Sequence, residues 1–191
     1  LYGIEISEQI SRTAKMNMII HDDGHTNVIT SDGLVSDETI IAKTNNQGFK
    51  YGTFDFIITN PPFGSTVRQS EQAYLKTYQL GKKEEDWLAV ATPPQNTRDG
   101  QSTEVLFIEQ DYKFLKEGGY LAIVLPDGIL TNSSMQYVRT QIEDWFRIVA
   151  VVSMPQTAFM ANGAGVKSSV LFLKKWTKKA SEKLVNTKKS I

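Results

Sequence analysis

Phe54-Asp55-Phe56-Ile57-Ile58-Thr59 is a short apolar run, β-branched and aromatic, and it stops at Asn60-Pro61-Pro62-Phe63. The run reads as a buried parallel strand whose end is fixed by the two prolines. A parallel strand commits the chain to an α/β architecture with helical crossovers. In open sheets of that kind ligands sit at the carboxyl ends of the strands. The tetrapeptide therefore falls where chemistry is done.

Each of its residue types has a physical use at a strand end. Asn60 precedes a proline, so its backbone is pushed away from helix toward an extended form. Pro61 and Pro62 have fixed φ and no N–H, so the loop is stiff and presents carbonyls rather than donors. The Asn60 carboxamide oxygen and a rigid carbonyl make two acceptors on one platform. Two acceptors suit a nitrogen carrying two N–H bonds, an amino group on a ring or an amide. Such a nitrogen is a poor nucleophile because its lone pair is delocalised. Accepting both hydrogens favours a pyramidal nitrogen and stabilises positive charge that grows during attack. Phe63 offers a flat face for a planar ring. The bland alternative is a strand that ends in a proline turn.

The rest of the chain supplies the frame. Tyr2 to Ile6 reads as a strand, Ser7 as an N-cap, and the following residues as a helix to His21 with Ile10, Ala14 and Met18 on one stripe. Asp22-Asp23-Gly24 ends that helix, and Asn27 to Thr30 is a short strand, completing a βαβ unit. Glu5 stands near the carboxyl end of the first strand, where an acid takes the two hydroxyls of a ribose. Asp32, in Ser31-Asp32-Gly33-Leu34, is placed to accept from an adenine amine; its plain reading is a turn cap, and that of Glu5 a paired strand acid. Val35 to Thr53 is polar, with a loop signal at Asn45-Asn46-Gln47-Gly48. Residues 64–101 show no sustained periodicity and read as a long insertion loop. A short helix is expected around Glu71 to Tyr78, and Trp87-Leu88 as a pin at the far end. The insertion reads either as a flap closing over a ligand or as a floppy excursion. Ser102 caps a helix to Glu117 with Val105, Ile108, Tyr112 and Leu115 on one face, stopped by Gly118-Gly119. A buried strand at Tyr120 to Leu125, a turn at Pro126-Asp127-Gly128, and a helix bearing Met135, Val138, Ile142 and Trp145 follow. Strands at Ile148 to Val152 and Ser169 to Leu173 flank a loop, Met154-Pro155-Gln156-Thr157-Ala158-Phe159. Lys167 meets a phosphate or faces water.

Asn60-Pro61-Pro62-Phe63 resembles the catalytic motif of amino methyltransferases that use S-adenosylmethionine. Tyr2-Gly3-Ile4-Glu5-Ile6, the stretch from Ile123 to Leu130 and that from Gly165 to Phe172 narrow the resemblance. Together they resemble the modification subunit of type I restriction–modification systems, a DNA adenine-N6 methyltransferase, from Tyr2 to Lys175. The resemblance implies a Rossmann-like class I S-adenosylmethionine-dependent methyltransferase fold. Its sheet is mostly parallel with an antiparallel last strand. It implies catalytic roles for Asn60, Pro61, Pro62 and Phe63, cofactor binding by Glu5, Asp32, Gly33, Leu34 and Asn60, and stacking of the target base on Phe63 and Phe159. As a core anchor, Phe159 has an equally simple reading. The implied partners are double-stranded DNA and the sequence-specificity and restriction subunits of the same system, with no metal. Six strand-like runs begin near residues 2, 27, 54, 120, 148 and 169. The resembled fold has seven strands, and the absent one is the first, which lies centrally between the runs at Tyr2 and Phe54 and carries a glycine-rich cofactor turn. The chain is thus expected to be a fragment, inactive alone and weak in binding S-adenosylmethionine. Residues 1–175 are expected to form the partial catalytic domain and 176–191 a basic tail or linker.

Bulk properties agree with this frame. The 191 residues suffice for one domain with a substantial core. With no cysteine there is no disulfide framework or thiolate metal site, which fits a reducing cytoplasm. No apolar run is long enough to span a membrane. Zero net charge argues for limited DNA affinity by this piece alone. Two rival functions share the chemistry or the setting. One is a methyltransferase acting on another amine, of protein glutamine or a ribosomal RNA base. The other is a non-catalytic DNA-associated subunit.

Overall fold

The computed structural model describes residues 1–68, 73–82, 98–160 and 165–189. They divide into two compact units, Leu1–Thr53 and Phe54–Ile191.

In the first unit, strand β1 (Gly3–Glu5) leads into helix α1 (Glu8–Ile20), and strand β2 (Val28–Thr30) returns parallel to β1. Ser7 caps α1 by accepting from the Ile10 N–H, as its position predicts. The inward face of α1 is rotated from the expected stripe. Ser11 is its one fully buried residue, while Ile10 is exposed. A three-residue strand pair is too narrow to cover a wide apolar face. Helix α2 (Asp37–Thr44) replaces the expected polar stretch. Ser36 caps it, accepting from the Thr39 N–H, and Asn45 ends it in the left-handed region at φ 53°. Its mixed composition hid it, because only Ile40 is buried. Tyr2 packs edge-on against the buried ring of Phe49.

The second unit is a four-stranded sheet. Its strands are β3 (Phe54–Thr59), β6 (Leu115–Pro126), β7 (Phe146–Ser153) and β8 (Ser168–Lys175), in the order β3-β6-β8-β7. The short strands β4 (Thr66–Arg68) and β5 (Gly100–Ser102) pair with each other apart from it. β3 runs parallel to β6, whereas β8 is antiparallel to both β6 and β7. The last strand thus enters between two earlier ones. Helices α3 (Thr103–Phe114) and α5 (Gln136–Trp145) cover one face. Their predicted apolar positions Val105, Ile108, Val138 and Ile142 meet Leu121, Ile123, Leu125, Leu171 and Leu173 in a single core. α3 ends at Phe114, short of the expected Glu117, and β6 begins at once. The register slips between Phe54 opposite Leu115 and Phe56 opposite Tyr120, and Gly118 (φ 77°) sits in the slip. The short helix α4 (Asp127–Thr131) follows β6, and α6 (Lys178–Lys189) forms the basic tail.

β3 is parallel, as expected, but it is an edge strand and only half-buried. Ile57 packs on the core, while Phe56 and Ile58 are 70% and 87% exposed. Its outer edge has no hydrogen-bonded neighbour among the described residues.

The described part of the insertion at 64–101 is more ordered than its sequence suggests. Besides β4 and β5 it holds a 3₁₀ turn, Ala73–Thr77. Leu75, Tyr78 and Leu80 are buried. The Glu109 carboxylate accepts from the Gln79 and Leu80 N–H groups at 3.0 and 2.9 Å, and the Tyr78 hydroxyl donates to Gln110 at 2.8 Å. The described part is therefore anchored on α3 rather than floppy. Trp87 and Leu88 lie outside the described residues.

Candidate active site

β3 delivers Asn60 to its carboxyl end. Pro61 is buried and holds the turn in place, and Pro62 is exposed. Both prolines follow trans peptide bonds. The Asn60 side chain is exposed, and neither its carboxamide nor the Pro61 carbonyl has a hydrogen-bond partner among the described residues. The exposed Asn60 carboxamide is open to a ligand.

Phe63 and Phe159 come together. Their ring centroids are 5.7 Å apart and their planes stand at 86°, an edge-to-face pair. Both rings are half-buried, so each keeps an open face. The loop that brings Phe159 there is closed at its neck. The Lys167 ammonium donates to Ser153 Oγ at 2.5 Å and to the Met154 carbonyl. Gln156 Nε2 donates to the Gly165 carbonyl at 3.1 Å. Lys167 is therefore tied to its own loop rather than simply facing water. Asp127, at the end of β6, accepts from the Ser169 hydroxyl at 2.7 Å, and its N–H donates to the Lys167 carbonyl.

The chain leaving Phe63 is tied to the start of α3. Gly64 turns in the left-handed region at φ 73°, a conformation glycine adopts without strain. The Ser65 carbonyl accepts from both the N–H and the hydroxyl of Thr103, at 2.9 and 3.0 Å. β4 then pairs with β5, Thr66 opposite Ser102. Glu104 is 7% exposed, and burial pushes its carboxyl above the ordinary carboxylate range. Its own backbone, the Ser102 side chain and the Gly64 backbone nearby pull it part of the way back. Sequence reading missed Glu104 and Thr103. Their only signal was position, an acid in the first turn of a helix.

The other predicted group lies in the first unit. Glu5 is half-buried at the carboxyl end of β1, and Oε1 accepts from the Ser7 N–H at 2.7 Å. Oε2 has no partner among the described residues, so a carboxylate oxygen remains for a hydroxyl. Asp32 Oδ1 accepts from the Leu34 N–H at 2.9 Å, the turn-capping contact of its plain reading. Gly33 lies in that turn, and the Leu34 side chain is buried. Any ligand contact by Leu34 is therefore made by backbone. An acid held at a strand end, followed by a capped turn after the next strand, fits a nucleoside. No described cluster of histidines and acids fits a metal. No helix among the described residues is long and apolar enough to cross a membrane.

The N-6 DNA Methylase family model matches residues 1–190. The chain belongs to this family. Among curated relatives it is 24% identical over 188 residues to the type II restriction enzyme and methyltransferase RM.BcgI of Heyndrickxia coagulans, covering 97% of this chain and 24% of that one. It is 27% identical over 180 residues to the type I restriction enzyme MpnII methylase subunit of Mycoplasma pneumoniae, covering 91% and 30%. The chain thus spans less than a third of the length of these two relatives. In structure it is similar to the type I restriction enzyme EcoKI M protein, with a TM-score of 0.60 and 25% identity over 95% of this chain and 32% of that one. A putative class I S-adenosylmethionine-dependent methyltransferase from Listeria monocytogenes matches with a TM-score of 0.61 and 21% identity, covering 93% and 45%. The fold is that of class I S-adenosylmethionine-dependent methyltransferases, as the resemblance implied.

Proposed function

We propose that the gene product containing this chain methylates the N6 amino group of adenine in double-stranded DNA, within a restriction–modification system. The observation that carries this reading is the exposed, unpartnered Asn60 carboxamide beside the Phe63–Phe159 pair. An adenine inside a duplex cannot present its amine to a protein loop, so the base is turned out of the stack. Phe63 and Phe159 supply faces for it. Base–aromatic stacking contributes about 1–3 kcal/mol per base and offsets part of the unstacking cost. Asn60 Oδ1 and the Pro61 carbonyl accept the two amine hydrogens. These bonds strengthen as positive charge grows on the nitrogen, so they lower the barrier more than they stabilise the ground state. The proton leaves to water after the methyl group is gained.

Glu5 holds the ribose hydroxyls of S-adenosylmethionine, and Asp32, Gly33 and Leu34 hold its adenine. When bound, that molecule supplies an activated methyl group. DNA sequence is read by a separate specificity subunit, and a restriction subunit completes the assembly. This division of labour agrees with zero net charge on a chain that works on a polyanion.

The test is expression of the full-length gene with its neighbouring system genes in a methylation-free host. N6-methyladenine should appear at one sequence in the genome. Asn60→Ala should lower the methylation rate about 10²- to 10³-fold, as loss of one positioned acceptor does. The folded population should be unchanged, because the side chain is exposed and makes no hydrogen bond among the described residues. Undiminished methylation by Asn60→Ala overturns the catalytic role. Methylation of cytosine N4 instead overturns the assignment of the base.

A further inference from the structure

The loop between β7 and β8 brings Phe159 to Phe63, yet little packing holds it there. Pro155 to Ala158 and Met160 are exposed, and none of the loop's described residues belongs to the core. Two consecutive turns stiffen the limb that rises from Met154. The Ala158 N–H donates to the Pro155 carbonyl at 3.0 Å, and the Met160 N–H to the Thr157 carbonyl at 3.2 Å. A stiff limb points where its base points. The base of the loop therefore decides where the Phe159 ring lies.

Lys167 holds that base. Its ammonium donates to Ser153 Oγ at 2.5 Å and to the Met154 carbonyl, where β7 gives way to the loop. A compact head with three donors satisfies both acceptors from one point. The Lys167 carbonyl accepts from the Asp127 N–H at 2.9 Å, at the end of β6, and the Met154 N–H donates to the adjoining Ser168 carbonyl at 3.0 Å. One residue thus ties the ends of β6, β7 and β8 together. β6 is also the strand on which β3 is registered, Thr59 opposite Ile123, and β3 runs directly into Asn60. The carboxamide after β3 and the ring on the β7–β8 loop are therefore referred to the same strand end through Lys167.

Resting on the function proposed above, we propose that Lys167 is a positioning residue for methyl transfer: its ammonium pins the base of the β7–β8 loop and sets the Phe159 ring against Phe63, where the target base stacks. In this role it touches neither base nor methyl donor. A purely structural role would show in stability alone. A direct contact to a DNA phosphate would show in the salt dependence of binding. A positioning role shows in the methylation rate, and only while the ring it positions is present.

Lys167→Met, Phe159→Ala and the double variant, in the full-length gene product assembled with its system partners, separate these roles. Met keeps the length of the stem and removes the donors. Single-turnover methylation should fall roughly 5- to 50-fold in Lys167→Met, and by no more than in Phe159→Ala, the scale of base–aromatic stacking. In the Phe159→Ala background the further loss from Lys167→Met should be less than about twofold, because no ring is left to position. The KM for S-adenosylmethionine should stay within about twofold. The melting temperature should change little, since neither partner of the ammonium lies in the core. Ser153→Ala, at an exposed position, removes one acceptor without risk to the fold. It should give a smaller loss that also disappears in the Phe159→Ala background. A wild-type rate in Lys167→Met, or losses that multiply in the double variant, overturns the inference. So does a fall of about one in the slope of log affinity for duplex DNA against log salt, the mark of a lost phosphate contact. Asn60→Ala is run beside them: if it is inactive while Lys167→Met is fully active, the methyltransferase reading stands and only this inference falls. Absence of adenine methylation by the wild-type protein brings down both.

Discussion

Removal of the Glu109 carboxylate should release the anchored part of the insertion while leaving the sheet intact. Glu109 is 3% exposed. It accepts from the N–H groups of Gln79 and Leu80 at 3.0 and 2.9 Å and pairs with the Lys113 ammonium at 2.9 Å. Hydrogen bonds to a charged acceptor contribute about 1.5–3 kcal/mol each, and an orphaned buried donor costs about 1–3 kcal/mol. Leu80 is buried, so its N–H bears the full penalty; Gln79 is exposed and recovers a bond to water. Lys113 keeps the Tyr78 ring, 3.9 Å from its Nζ, which limits the loss on that side. The sum is about 3–4 kcal/mol of local stability, within the range for breaking a buried ion pair by removing one partner. Glu109→Ala should therefore speed amide hydrogen exchange across residues 75–82 roughly 10²- to 10³-fold, with exchange in β6 and β8 unchanged. Glu109→Gln tests the geometry further. Its amide turns a donor toward one of the two N–H groups, so the loss should be intermediate despite unchanged volume. Exchange unchanged in Glu109→Ala would show that the segment is held by Leu75, Tyr78 and Leu80 alone, and the reasoning from hydrogen bonds would fail.

Two further outcomes follow from side chains in the same unit. Burial raises the Asp111 carboxyl well above its ordinary value of 3.8. The folded chain then keeps a proton that the unfolded chain loses, so the destabilisation grows as pH rises from about 4 and levels off above the folded value. Asp111→Asn should raise the melting temperature at pH near 7 by more than at pH near 4.5; an increment independent of pH would contradict the burial. Phe63→Ala and Phe159→Ala should each slow methylation, and their double-mutant cycle on kcat/KM should show a coupling of about 0.5–1.5 kcal/mol from the edge-to-face contact. Simple additivity of the two losses would mean that the rings act apart.

The alternation of strand and helix, the apolar faces of α3 and α5, and the strand at Phe54–Thr59 with its proline-fixed end were all legible in the sequence. Local periodicity encodes them, because a spacing of two or of three to four residues sets one face whatever lies opposite. What lies opposite was decided only by the tertiary structure. The insertion of β8 between β6 and β7, the edge position of β3, and the meeting of Phe63 with Phe159 all join residues far apart in the chain. No local pattern records such pairings. The same holds for charge. In sequence Glu104, Glu109 and Lys167 read as ordinary solvated side chains, which is where most acids and lysines lie. Packing drew the two acids out of water and bound Glu109 and Lys167 to backbone groups of loops, and those contacts exist only once the loops have folded against α3 and the sheet.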